Sequence, residues 1–163
     1  MFTLSSSAFA GGAPIPARHT CDGPNQSPPL AWRDAPAGTR SFALIVDDPD
    51  APDPAAPKRV WAHWVLYNLP ADVSTLPEGA SPKALPAEAR EGRNDGGGTG
   101  YSGPCPPIGT HRYFHKLYAL DALLPDLGAG AKKADLERAM AGHVLETAEL
   151  IGTYDAGKRA ARG

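Results

Sequence analysis

Phe42-Ala43-Leu44-Ile45-Val46, followed at once by Asp47-Asp48-Pro49-Asp50, is the stretch whose reading decides the fold. The first five residues are a short, apolar, partly β-branched run bounded by Arg40-Ser41 and by a proline turn, which predicts a buried strand over 41–47. The next four crowd three carboxylates at the strand exit, where they repel one another and are costly to desolvate together. Cationic or hydrogen-bond-donating groups should therefore face them. Two later segments carry such groups, Trp61-Ala62-His63-Trp64 and His111-Arg112-Tyr113. Function is expected where the three stretches meet.

Outward from this stretch, residues 49–59 hold Pro49, Pro52, Pro54 and Pro57 and are expected to be irregular. Trp61 to Leu69, aromatic and branched, predicts a second strand ended by Pro70, and Arg112 to Leu120 a third. Leu30-Ala31-Trp32 is a shorter strand. The Asn94-Asp95-Gly96-Gly97-Gly98-Thr99-Gly100 segment reads as the most flexible loop, of the kind that carries function. Lys133 to Met140 predicts a helix with Leu136, Ala139, Met140 and His143 on one face. Residues 142–148 fit helix or strand, and 148–154 a last strand. Lys158-Arg159-Ala160-Ala161-Arg162-Gly163 closes the chain as a basic tail, which gives one domain over 1–155 and a tail over 156–163.

The totals agree with a turn-rich β protein. Among 163 residues there are 18 glycines and 18 prolines, which long helices do not tolerate in their interiors. A net charge of -2 excludes the basic footprint of a nucleic-acid binder. No apolar stretch approaches the roughly 20 residues that span a bilayer, and no signal peptide is read at the N-terminus. A cytoplasmic location is the default expectation. Cys21 and Cys105 form no C-x-x-C pair, which removes zinc-finger and thioredoxin readings. Two free thiols are expected in a reducing compartment, whereas the rigid contexts Thr20-Cys21-Asp22-Gly23 and Gly103-Pro104-Cys105-Pro106-Pro107 also suit a disulfide. The sequence leaves both open.

In Asp48-Pro49-Asp50 the proline fixes the backbone and presents two carboxylates at set angles, although an acidic turn bonded to its own amides is the blander reading. By alternation His63 shares a face with Trp61 and Val65, with Trp64 and Leu66 on the other. Its spacing from the acids allows an Asp–His contact across neighbouring strands, fixing the tautomer and leaving one ring nitrogen for a ligand. Alternation puts His111 and Tyr113 on one face and Arg112 on the other, where a structural ion pair with an acid is its plain role. Asp47 is expected to be solvated, and His115 continues the face of His111 or is exposed.

Together, Asp48-Pro49-Asp50-Ala51-Pro52, Trp61-x-His63-Trp64 and Gly103-x-x-Pro106-Pro107 leading to His111-Arg112-Tyr113 resemble the phosphatidylethanolamine-binding protein family, most closely its small bacterial and archaeal Raf-kinase-inhibitor-like members. Thr20-Cys21-Asp22-Gly23, Ser27-Pro28-Pro29-Leu30-x-Trp32 and Gly142-His143-Val144-Leu145 extend the likeness to about residue 155. The resemblance implies a mainly β fold: two antiparallel sheets in a Greek-key β-sandwich, one or two short helices near the C-terminus, and a pocket at one end. It implies that Asp48, His63, His111 and Tyr113 line that pocket and that the Gly103-Pro104-Cys105 loop offers backbone N–H groups to an anion. Asp50 and Arg112 become supporting residues, with Pro52, Trp61, Pro106 and Pro107 around them. Cys105 stands where the eukaryotic pattern has glycine, and no helix is expected after the last strand to cover the pocket.

The expected function is a non-enzymatic binding protein with no cofactor and no metal. It holds phosphate, a phosphorylated head group or a similar anion, and the resemblance extends this to modulating a kinase or another protein partner and to homodimers. No G-x-S-x-G elbow accompanies Ser102. The alternatives are a metal-dependent phosphoester hydrolase using Asp48, Asp50, His63 and His111, and an inhibitor of a protease or kinase acting through the 92–103 loop.

Overall fold

The apolar run and its neighbours form the centre of a five-stranded sheet in the computed structural model, which describes residues 1–157. The strands are β1 (Thr3–Ser5), β2 (Leu30–Arg33), β3 (Ser41–Ala51), β4 (Arg59–Pro70), β5 (Thr75–Leu76), β6 (Arg90–Glu91), β7 (Thr110–Leu120) and β8 (Val144–Asp155). The helices are a single turn, α1 (Ala80–Lys83), and α2 (Lys133–Met140), with a 3-10 turn at Ala17–His19. One antiparallel sheet has the order β6-β4-β3-β7-β8 and the other β1-β2-β5. Two sheets, few helices and α2 towards the C-terminus match the expectation, whereas Ala156 and Gly157 are helical directly after β8, where no helix was expected. The expected basic tail falls, from Lys158 on, outside the described residues.

Burial explains why β3 is central. Every residue from Ser41 to Asp48 is buried, because the sheet is covered on both faces. On the inner face Phe42, Leu44, Val46, Trp64, Leu66, Tyr113 and Leu117 pack against Phe2, Leu4, Leu30, Trp32 and Leu76 of the small sheet. On the outer face Ala43, Ile45, Ala62, Val65 and Tyr67 pack against Leu136 and Met140 of α2. The Leu136–Met140 stripe is the helix face expected from sequence, and its seat is this outer face.

Two expectations need correction, and one open alternative closes. β3 does not stop at the acids but runs on to Ala51, and Pro49, which has no N–H to give a ladder, falls in a register break between Asp48 and Ala51. Residues 142–148 are strand from Val144 onward, entered through Gly142 at φ 83°. The second correction is a bulge: Val46 pairs with Trp64 and Asp47 with Ala62, so His63 is the extra residue. His63 and Trp64 therefore both serve the inner side, while Val65 turns to the outer cluster. Simple alternation, which grouped His63 with Val65 and against Trp64, fails at that bulge.

Candidate functional site

Where β3 runs out and β4 and β7 begin, a cavity of about 340 Å³ opens. Asp48, His63, Gly103, Cys105, His111 and Tyr113, all expected at the site, line it, with Pro52, Trp61, Pro106 and Pro107 around them. Asp50 and Arg112 do not. They pair with each other: Arg112 donates from its backbone N–H and Nε to Asp50 Oδ2, at 2.9 and 3.0 Å, and from Nη2 to Oδ1 at 2.9 Å. The Arg112 guanidinium holds the Asp50 carboxyl below its ordinary range. Asp50 thus ties the end of β3 to β7.

The Asp–His contact exists, but with a different histidine. Asp48 Oδ2 lies 2.5 Å from His111 Nδ1, while Asp48 Oδ1 accepts the Asp50 N–H at 2.7 Å. The central strand has two neighbours, and β7 as well as β4 can present a ring to its exit. The second ring nitrogen of His111, Nε2, lies 2.9 Å from the Ile108 carbonyl oxygen, so both nitrogens have protein partners. His111 shapes the wall without a nitrogen to spare.

His63 is held by the loop after β6. Asp95 Oδ2 accepts the Ala62 N–H at 2.7 Å, and Ser102 N–H donates to the His63 carbonyl at 2.9 Å. Ser102 O in return accepts from His63 Nδ1 at 2.6 Å. That bond sets the tautomer and leaves Nε2 without a protein partner among the described residues. Burial pushes the His63 pKa down, keeping the ring neutral. Tyr113 packs edge-on to His63, centroids 5.2 Å apart, and its hydroxyl is buried with no hydrogen-bond partner among the described residues. Burial, with Asp48 nearby, raises the phenol pKa, so Tyr113 stays a donor.

The loop expected to be most flexible is instead bonded to itself. Asn94 is buried, donates to Gly100 O at 3.0 Å and accepts the Gly96 and Gly98 N–H groups. Its continuation packs against residues 17–26: Tyr101 Oη donates to His19 O at 2.7 Å, Gly103 N–H to Asn25 Oδ1 at 2.8 Å, and Cys21 N–H to Pro104 O at 3.1 Å. A Cβ on Gly103 would fall 2.1 Å from His19 O, which is why glycine stands there. Cys21 and Cys105 are joined in a disulfide with Cα atoms 5.4 Å apart, so the two-thiol expectation does not hold. Because Asn25 takes the Gly103 amide and proline has no N–H, Cys105 is left as the donor amide of the expected three-residue anion loop.

Asp47 is a further correction. Only 1% exposed, it accepts from Lys116 and Lys133 at 3.2 and 2.8 Å on the outer face, away from the cavity. His115 is also buried, with Nδ1 3.2 Å from the Tyr113 and Leu150 carbonyls and its ring 5.4 Å from Phe9. Burial lowers its pKa from 6.5 to about 4. Between those values the unfolded chain binds a proton the native ring refuses, so His115 removes about 1.4 kcal/mol of stability per pH unit as pH falls. Urea unfolding at pH 7 and pH 4.5 should show this loss, and His115→Gln should flatten the slope. An unchanged slope refutes the assignment.

Arg59, Ser102 and Gly96 also line the cavity and are not among the residues expected there. Arg59 precedes Trp61 and His63 at two-residue steps, a signal present in the sequence. Ser102 acts through a backbone carbonyl and Asn25 through the fold, so neither has a local signature.

A family model described as phosphatidylethanolamine-binding protein matches residues 5–155. A UPF0098 protein of Methanothermobacter thermautotrophicus is 51% identical over 155 residues, covering 94% of this chain and 99% of its own. A UPF0098 protein of Chlamydia muridarum is 47% identical over 152 residues, covering 93% and 97%. Among solved structures, CT736 of Chlamydia trachomatis, described as a phosphatidylethanolamine-binding protein homologue, superposes with TM-score 0.85 at 45% identity, covering 94% of this chain and 97% of its own. Escherichia coli YbcL, described as a member of the mammalian PEBP family, superposes with TM-score 0.86 at 35% identity, covering 94% and 98%. With a family model spanning nearly the whole chain and relatives this close over their full lengths, the chain belongs to the phosphatidylethanolamine-binding protein family.

Proposed function

We propose that this protein is a non-enzymatic binding protein whose cavity takes a small anion, phosphate or a phosphorylated head group. The observation that carries this reading is the Tyr113 hydroxyl, a buried donor without a partner in the wall of an open cavity. Buried polar groups are nearly always satisfied, and a ligand oxygen supplies the missing acceptor. His63 Nε2 and the Cys105 amide stand beside it, and the cavity has the volume of a small-molecule site. The hydrolase alternative needs Asp48, Asp50, His63 and His111 to converge on one ion. Asp48 is committed to His111 and Asp50 to Arg112, and among the described residues no group of three or more His, Cys, Asp or Glu gathers to hold a metal.

Because Nδ1 of His63 donates to Ser102, the neutral ring offers Nε2 as an acceptor, which repels an anion until it is protonated. Anion binding should therefore take up a proton. Affinity should rise towards lower pH, by up to about tenfold per unit while the free ring stays neutral. Titration calorimetry with sulfate, whose charge is constant through the neutral range, should show uptake in buffers of different ionisation enthalpy. His63→Ala should lose that uptake and weaken phosphate binding by about 1.5–3 kcal/mol, whereas His115→Ala should leave affinity unchanged. Equal affinity in His63→Ala would sink the pocket assignment.

A further inference from the structure

The cavity's electrostatics point to a residue outside the family-like motifs. Among the described residues that line it, Arg59 is the one lysine or arginine; the others are polar neutral or apolar groups, the two histidines, and Asp48 facing His111. Arg59 opens β4, opposite Ala51 of β3, and its side chain is exposed at the cavity mouth. It has no carboxylate partner among the described residues. Its guanidinium carbon lies 5.9 Å from the centroid of the Trp61 ring, another lining residue, which restrains the side chain without occupying its N–H groups. Arg112, by contrast, is paired with Asp50 through Nε and Nη2 and lies outside the cavity. A restrained, unpaired guanidinium beside a pocket of neutral donors is a fork for two oxygens of one oxyanion.

We propose that Arg59 is the charge-recognition residue of this cavity and that it selects phosphomonoesters over phosphodiesters. The proposal rests on the anion-binding reading above. A monoester has three terminal oxygens: two can meet the Arg59 fork while the third reaches the inner donors, Tyr113 and, once protonated, His63. A diester has only two, so engaging the fork leaves none for the interior, and it carries one charge rather than two. Trp61 is then a positioning residue, acting through the guanidinium that it holds.

Titrations of the intact protein with phosphoethanolamine, a soluble monoester, and glycerophosphoethanolamine, the matching diester, test this. The wild type should bind the monoester at least about tenfold more tightly. Arg59→Gln should lose roughly tenfold for the monoester, change little for the diester and unfold at the wild-type temperature, since the side chain is exposed. Arg59→Lys should recover part of the loss as a point charge without a fork, and Trp61→Leu should resemble a milder Arg59→Gln. Co-sedimentation with phosphatidylcholine vesicles containing phosphatidic acid separates a lipid source from a free monoester: capture by vesicles that Arg59→Gln abolishes assigns the lipid, and no capture with intact phosphoethanolamine binding assigns the soluble ester. Either identifies the source, while the loss of monoester binding in Arg59→Gln carries the role of Arg59. If the wild type binds phosphomonoesters and Arg59→Gln binds them equally, the role of Arg59 is refuted while the anion pocket stands. If the wild type binds neither ester, the anion reading fails and this inference with it.

Discussion

Asp48→Ala should lose about 3–5 kcal/mol of folding stability, because one buried carboxylate makes two hydrogen bonds, each contributing about 1.5–3 kcal/mol. The side chains of Asp48 and His111 are 4% and 1% exposed and meet at 2.5 Å, so His111 Nδ1 would lose its carboxylate partner in the cavity wall. The Asp50 N–H would lose its acceptor at the same time, at the register break where β3 has no ladder to compensate. Asp48→Asn should lose less, since an amide oxygen can still accept from Asp50 or meet one ring nitrogen. Guanidinium unfolding of the three proteins measures the series. A loss under about 1 kcal/mol in Asp48→Ala would mean that the pair carries little structural weight.

Expected in sequence as a crowded acid cluster, the three carboxylates divide by face. Asp48 points inward and orients His111, Asp50 binds Arg112, and Asp47 points to the outer face and takes two lysines. The strands themselves were readable because each carries its own branched and aromatic run. The order of strands was not, since nothing local in Phe42 to Val46 says that β7 lies on one side and β4 on the other. That is why the acid–histidine contact could be foreseen while its histidine could not. Asp47 shows the same limit at longer range: Lys133 reaches it from α2, 86 residues away, once Leu136 and Met140 have docked on the outer face. At His63 the error was local, because a one-residue bulge inverts alternation and leaves no mark in composition. Motif likeness placed His63 and Tyr113 in the pocket, but only the structure shows that Tyr113 is an unpaired donor and His111 is not.

Reducing the Cys21–Cys105 bond should lower stability by about 4.5 kcal/mol, the chain-entropy value for a closed loop of this size. The two residues are 84 positions apart, so the cross-link removes a large loop from the unfolded ensemble. Such a loss is a large share of the roughly 5–15 kcal/mol typical of a domain. Both cysteines are exposed, so a reductant reaches the sulfurs without prior unfolding. The segment holding Cys105 would not detach, because Tyr101 still bonds to His19, Gly103 to Asn25 and Cys21 N–H to Pro104. What it loses is the covalent stop that fixes Cys105 in the cavity wall. The reduced protein should therefore stay folded at 25 °C, melt at a lower temperature and bind phosphate more weakly than the oxidised form. A Cys21→Ser/Cys105→Ser double variant should match the reduced protein and ignore reductant. An exposed bond of this kind persists in an oxidising compartment and opens in a reducing one, so the location of the protein would decide which form binds. Calorimetric melting with and without a phosphine reductant tests the stability half, and phosphate titration of the same samples tests the other. Identical melting temperatures would show that the hydrogen bonds alone hold the two loops together, and identical affinities that the Cys105 wall needs no covalent anchor.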